Sequence, residues 1–323
     1  SAASDVYKRQ IVMNRFIQRL AVPSLLIFIA LGMLFGENGL FRIPFDDYQV
    51  SSIICSVSLI FIMFYGGFGT NLSAARPVLA KSILLSTVGV ALTAGLCGLF
   101  VHLVLGLALY ESLLIGAVIS STDAASVFNI LRTNRLSLKY GSASLLEIES
   151  GSNDPVSYML TVILVSLLAG ESVSVPFMLL SQVAIGILCG VVIGKLAILL
   201  LSRLTFSDEH GKTILVFAVV LVSYALPDCL GGNGYLSAYL CGILMGNSSI
   251  AHKRQLIHFF DVVTDISQVI IFFLLGLLVT PAELPAVFVP ALCIMVFLTL
   301  IARPAAVFAL LLPFRSPLRQ IGI

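Results

Sequence analysis

The sequence predicts an all-α membrane protein that crosses the bilayer about ten times, with spans near the ~20 residues a bilayer needs. Three observations predict this. Apolar residues fill 59% of the 323 positions and charged residues only 11%. The mean hydropathy, +1.09, is that of a polytopic membrane protein. Cationic residues, finally, cluster at alternate ends of successive apolar runs. The balance of 18 Lys+Arg against 16 Asp+Glu offers no basic surface for nucleic acid. The six cysteines lack metal or redox spacing and read as small buried hydrophobes.

The spans are expected in order as follows. Leu20–Gly36 follows Arg15 and Arg19. Tyr48–Phe68 ends on Gly66, Gly67 and Gly69, which suggest a bend or a tight helix contact, and is followed by Arg76 and Lys81. Ser82–Ala108 and Ser112–Leu131 come next, the latter followed by Arg132, Arg135 and Lys139. Ser142–Ala169 is the most polar run. Phe177–Leu201 carries Gly186, Gly190 and Gly194 at four-residue spacing, the signature of close helix packing. Thr213–Cys229 and Gly234–Asn247 are short. Phe259–Thr280 and Ala286–Phe314 complete the set. Arg203, Lys212, Lys253, Arg254, Arg315 and Arg319 extend the cation pattern, while the alternate loops hold Glu37, Asp46, Asp47, Glu111, Glu171, Asp228 and Glu283, with Arg42 their only cation. The positive-inside rule therefore predicts an even number of spans with both ends of the chain cytoplasmic. The four histidines form no cluster.

Polar residues inside the spans mark the candidate site, because carboxylates at bilayer depth are costly unless paired, protonated or hydrated. Glu147, Ser150, Asp154, Ser157 and Thr161 form one helical stripe in the fifth span. Glu149 and Asn153 share a neighbouring face. Pro155 removes an amide donor and frees the carbonyl of Gly151, so a kink or a loosened turn is expected just before Asp154. Freed carbonyls beside a carboxylate suit a small hard cation. In the fourth span, Ser120-Ser121-Thr122-Asp123 competes with the helix for hydrogen bonds and predicts an interruption. Half-helix ends there supply partial charge, and Asp123 is expected to lie beside Asp154 at similar depth. In the tenth span a buried Arg303 needs a carboxylate, and Glu149 is the natural partner.

Thr122-Asp123, Glu149…Asn153-Asp154 and Ala302-Arg303-Pro304, in this order on separate spans, resemble the monovalent cation/proton antiporter (sodium–hydrogen exchanger) family. The stretches ISSTDAASVFNILR and ESGSNDPVSYMLT are most similar to its bacterial potassium/proton branch. The resemblance covers nearly everything from Arg15 to Ile323. It implies an inverted-repeat antiporter fold of about a dozen spans, a homodimer in the bacterial inner membrane, with no cofactor and no metal beyond the transported K+ or Na+. It further implies that Asp154 binds cation and proton alternately, that Thr122 and Ser150 assist, that Asp123 compensates crossed half-helices, and that Glu149 pairs with Arg303. In many relatives an acidic residue ends the second span, where this chain has Tyr65, and Ala124 replaces a Pro common after Thr-Asp. A first span and a later broken helix with a Gly-Leu-Arg-Gly motif are not in this sequence, so truncation at both ends is expected. Residues 1–10 resemble linker or adaptor-derived sequence, and residues 11–323 an incomplete exchanger domain.

The expected activity is exchange of a monovalent cation, K+ before Na+, for protons. Since Asn153 is uncharged, the site holds one exchangeable charge and predicts electroneutral one-for-one exchange. The rival readings are a cation channel, which should show a filter-like loop, and an intramembrane aspartyl protease using Asp123 and Asp154 as a shared-proton dyad. No Gly-x-Gly-Asp signature supports the protease, since Asn153 precedes Asp154.

Overall fold

Every expected apolar run contains a helix. The computed structural model describes residues 24–45, 47–122, 127, 142–171, 174–203, 209–250 and 253–314, and these contain no strand. The helices longer than one turn are α1 (Ser24–Phe35), α2 (Tyr48–Gly69), α3 (Leu79–Leu105), α4 (Leu109–Ile119), α5 (Ser142–Leu168), α6 (Val175–Arg203), α7 (Glu209–Cys229), α8 (Gly234–Gly246), α9 (Lys253–Leu278) and α10 (Pro281–Leu311). Among the described residues, six helices are long and apolar enough to cross a membrane, namely α2, α3, α6, α7, α9 and α10. α5 is long enough at 27 residues but is not one of the six, because its polar stripe lowers its hydropathy.

The expected span Gly234–Asn247 needs correction in length. Its helix α8 has 13 residues, about 20 Å at 1.5 Å per residue, against a hydrocarbon core of ~30 Å. It begins inside the protein: Asn233, 1% exposed, caps it by accepting a bond from the amide of Leu236. The two glycines before the cap allow the sharp entry, Gly231 with a φ of 76°.

Two compact units divide the chain. In the first, residues 1–58 and 264–286, α1 meets the second half of α9 through glycines: a Cβ on Gly276 would lie 2.8 Å from the Cα of Gly32. Phe35 stacks on Phe41, ring centroids 4.5 Å apart, and tilts against Phe273.

In the second unit, residues 59–263 and 287–323, a core of Phe61, Phe64, Phe68, Ala238, Met245 and Phe260 joins α2, α8 and α9. Helices without a hydrophobic drive between them pack best where small residues let backbones close in. The seam from α6 to α8 is such a contact. A Cβ on Gly186 would come 2.9 Å from the Asn233 carbonyl oxygen, and one on Gly190 would come 2.7 Å from that of Ser237. Gly190→Ala is therefore expected to lower stability by roughly 1–3 kcal/mol through overpacking against a backbone that cannot step aside; unfolding in detergent micelles measures it. Gly98 of α3 faces α4 in the same manner, its added Cβ 2.8 Å from the Cα of Leu113. α5 lies among α3, α4 and α8, and a smaller cluster of Val78, Leu85, Leu145 and Leu311 ties it to α3 and α10.

Three wide, π-type turns interrupt these helices, at Leu85–Gly89, Val101–Leu105 and Leu298–Ala302. The last has a cause in the sequence: Pro304 has no N–H to offer Leu300 and its ring would crowd that carbonyl. A wide turn absorbs both problems and re-phases the helix immediately before Arg303.

Candidate ion-binding site

The site is built where α4 stops. Ser120 turns its hydroxyl back onto the Ala117 carbonyl at 2.7 Å, which offers the backbone an alternative to the next helical turn. The chain turns at Ser120, bends at Ser121 and leaves the helix by Thr122. The interruption expected from the hydroxyl run is therefore present as far as Thr122. Asp123 lies outside the described residues.

The loosened chain leans on α5 entirely through polar groups. Thr122 Oγ1 accepts from Asn153 Nδ2 at 2.7 Å and donates to Ser150 Oγ at 3.1 Å. Ser150 Oγ is also placed to donate to the Thr122 carbonyl, at 3.2 Å. Ser121 Oγ faces two acceptors, Asn153 Oδ1 at 2.9 Å and Asp154 Oδ1. One turn further along α5, Ser157 Oγ donates to the Ala117 carbonyl at 2.6 Å, so the final turn of α4 is pinned from both sides of its break. Ser150 and Asn153 are buried to 1% and 0% exposure, whereas Asp154 is half-buried. The arrangement thus keeps one carboxylate reachable within a sealed polar wall.

Glu149 forms an ion pair with Arg303 Nη2, its side chain 3% exposed against 24% for the arginine. Its Oε1 also accepts from Asn153 Nδ2 at 3.4 Å. Asn153 therefore connects the pair to the broken chain: its amide reaches both Glu149 and Thr122, and its carbonyl oxygen faces Ser121.

Pro155 does not end the helix. α5 is continuous from Ser142 to Leu168 with Pro155 inside it. Surrounding contacts hold the helix on course. Asn233 Nδ2 donates to the Pro155 carbonyl at 3.0 Å, and the hydroxyl end of the Tyr239 ring stands against Gly151, where a Cβ would come 2.9 Å from its hydroxyl oxygen. Neighbouring polar groups of this kind make Pro tolerable within membrane helices.

Sequence reasoning passed over Ser121, which was legible only as one of three adjacent hydroxyl residues, and Asn233, which gave no signal beyond a helix cap. It also passed over Asp261, which accepts the Tyr65 hydroxyl at 2.7 Å.

The hydroxyl of Ser121 has one proton for two acceptors. When Asp154 is a bare carboxylate, the charged oxygen is the stronger acceptor and takes it. When Asp154 carries a proton, that proton can be given to Ser121 Oγ, and the serine then donates to Asn153.

Comparison with known proteins follows the same lines. A family model described as sodium/hydrogen exchanger, transmembrane, matches residues 11–322. The K+/H+ antiporter NhaP of Alkalimonas amylolytica is 39% identical over 313 residues, covering 96% of this chain and 54% of that protein. The K+/H+ antiporter NhaP2 of Shewanella sp. strain ANA-3 is 40% identical over 303 residues, 92% of this chain and 52% of that protein. The chain spans about half the length of these curated relatives. The structure of the sodium proton antiporter MjNhaP1 from Methanocaldococcus jannaschii at pH 8 superposes with a TM-score of 0.81 at 23% identity, over 95% of this chain and 76% of that one, which shows a common fold.

Proposed function

Since this chain belongs to the sodium/hydrogen exchanger transmembrane family, we propose that it is the transport part of a secondary antiporter that exchanges a monovalent cation for protons. The observation that carries the reading is Asp154: a half-buried carboxylate halfway along a membrane helix, held by Ser121 beside a helix break. Proton and cation stabilise opposite forms of such a group, one neutral and one charged, so each displaces the other. If the loaded carboxyl crosses and the bare one does not, exchange is obligatory.

K+ is the favoured cation. The relatives named above are called K+/H+ antiporters, and Tyr65 stands where many relatives place an acid. Thr122, Ser150 and Asn153 supply neutral oxygens around the carboxylate, and Asp123 is assigned the compensation of half-helix charge. Glu149 and Arg303 brace the site. The family is one of transporters, which favours exchange over the protease and channel readings. We assign the protein to the bacterial inner membrane, both ends of this chain cytoplasmic, as a homodimer.

The uncharged Asn153 leaves one exchangeable charge, so turnover is expected to be electroneutral. Moving a net charge across the membrane would couple to voltage at about 2.3 kcal/mol per 100 mV. In vesicles holding the complete protein that carries this chain, a K+ pulse should relieve quenching of an internal pH dye, choline should not, and an imposed potential should leave the rate unchanged. A rate that follows voltage contradicts one-for-one exchange, and silence towards every alkali cation contradicts exchange itself.

A further inference from the structure

One position flanking the polar stripe of α5 carries no side chain. Glu147, Gly151 and Asp154 follow one another along a single face at helical spacing. Glu147 and Asp154 are both half-buried, but Gly151 between them is buried, and what covers it is the ring of Tyr239 from α8. Tyr239 is itself 2% exposed. A Cβ added at Gly151 would come 2.9 Å from its hydroxyl oxygen, so a larger residue there would have to displace the ring. α8 is clamped from behind by α2: a Cβ on Gly67 would come 3.0 Å from the Ile243 amide. The ring cannot retreat without parting those helices.

The hydroxyl of Tyr239 is a buried polar atom with no hydrogen-bond partner among the described residues. Native proteins seldom leave such a group unsatisfied unless water, an ion or function occupies it. The hydroxyl stands against Gly151, four residues along α5 from Glu147 and three from Asp154. A phenol oxygen set against the helix face that carries Glu147 and Asp154 offers what a partly dehydrated cation lacks, one neutral oxygen ligand between two carboxylates.

We propose that Tyr239 is the gate of the cation route on this face of α5, its hydroxyl replacing one hydration water as the ion passes between Glu147 and Asp154. The assignment rests on the exchange reading above and adds a specificity-determining residue to it. The ring bars free water and protons from running along the stripe, while the hydroxyl lets a cation through by ligand exchange.

The test compares Tyr239→Phe and Tyr239→Ser in the complete protein, in vesicles, with Asp154→Asn as control. Tyr239→Phe keeps the plug and removes the ligand. K+-driven exchange is expected to fall about tenfold, the weight of one hydrogen-bonding oxygen, with a melting temperature equal to or above that of the parent. Tyr239→Ser, which leaves room for water, is expected to exchange faster than the Phe variant. A packing role predicts the reverse order. The proposal is overturned if the Phe variant exchanges at the parental rate, if it slows while also melting earlier, or if the Ser variant is the slower of the two. Should the Ser variant not fold, the Phe variant decides alone. If Asp154→Asn exchanges normally, the exchange reading fails instead, and the two failures are told apart in one experiment.

Discussion

Exchange is expected to fall below about 1% of the parent when Asp154 becomes Asn, a loss of more than about 2.7 kcal/mol. The substitution is close to isosteric, and the amide oxygen can still accept from Ser121, the bond seen at Asp154 Oδ1. Helix α5 and its contacts with Thr122 should therefore survive, and the melting temperature should stay near that of the parent. What disappears is the chemistry. An amide neither binds a proton in the physiological range nor offers a full negative charge to a cation, so both ligands lose their common seat. Dequenching of a pH dye after a K+ pulse measures the rate. A variant that exchanges at the parental rate removes Asp154 from the centre of the cycle. One that leaks cations without protons would show that the carboxylate couples the two rather than carries them.

The sequence made the helices legible because the bilayer demands long apolar runs and few charges, and that demand is written residue by residue. It also made the break at Ser120 to Thr122 legible, since three adjacent hydroxyls compete with the helix wherever they occur. The glycine row of α6 pointed to a close partner, and α8 fills it. Helical periodicity fixes which face a side chain occupies but not what stands opposite. That is why Glu149 could be matched to Arg303, where burial of a charge requires an opposite charge, while the Asn233 bond to Pro155 and the Tyr65 bond to Asp261 could not be foreseen. Neutral polar groups accept many partners, so chemistry alone does not choose among them. The continuous α5 teaches a related lesson: the helix runs through Pro155, and the groups that stand beside it, Asn233 and Tyr239, come from a helix the local rule for proline does not consider. The shortness of α8 had the same origin, because a helix that starts inside the protein has no need to span the bilayer.

Separating Glu149 from Arg303 should be the most damaging change to stability near the site. Glu149 is almost fully enclosed and its charge is met by Arg303 and, at 3.4 Å, by the amide of Asn153. Removing one member of a buried pair strands the other, at a cost of about 3–5 kcal/mol. Arg303→Met and Glu149→Gln should each lower the free energy of unfolding in detergent by an amount in that range. The double variant should lose less than either single one, since two neutral groups need no counter-charge. Function should separate the two singles further. Arg303→Met leaves the carboxylate that orients Asn153, whereas Glu149→Gln can turn its amide towards Asn153 and push it from Thr122. Cation exchange in the Glu149 variant is therefore expected to fall beyond what its stability loss explains, and to stay low in the double variant whose fold has recovered. If the double variant is as unstable as the sum of the singles, the two residues do not act as a pair, and the bracing of the site must come from the hydroxyl wall of Ser121, Thr122 and Ser150 alone.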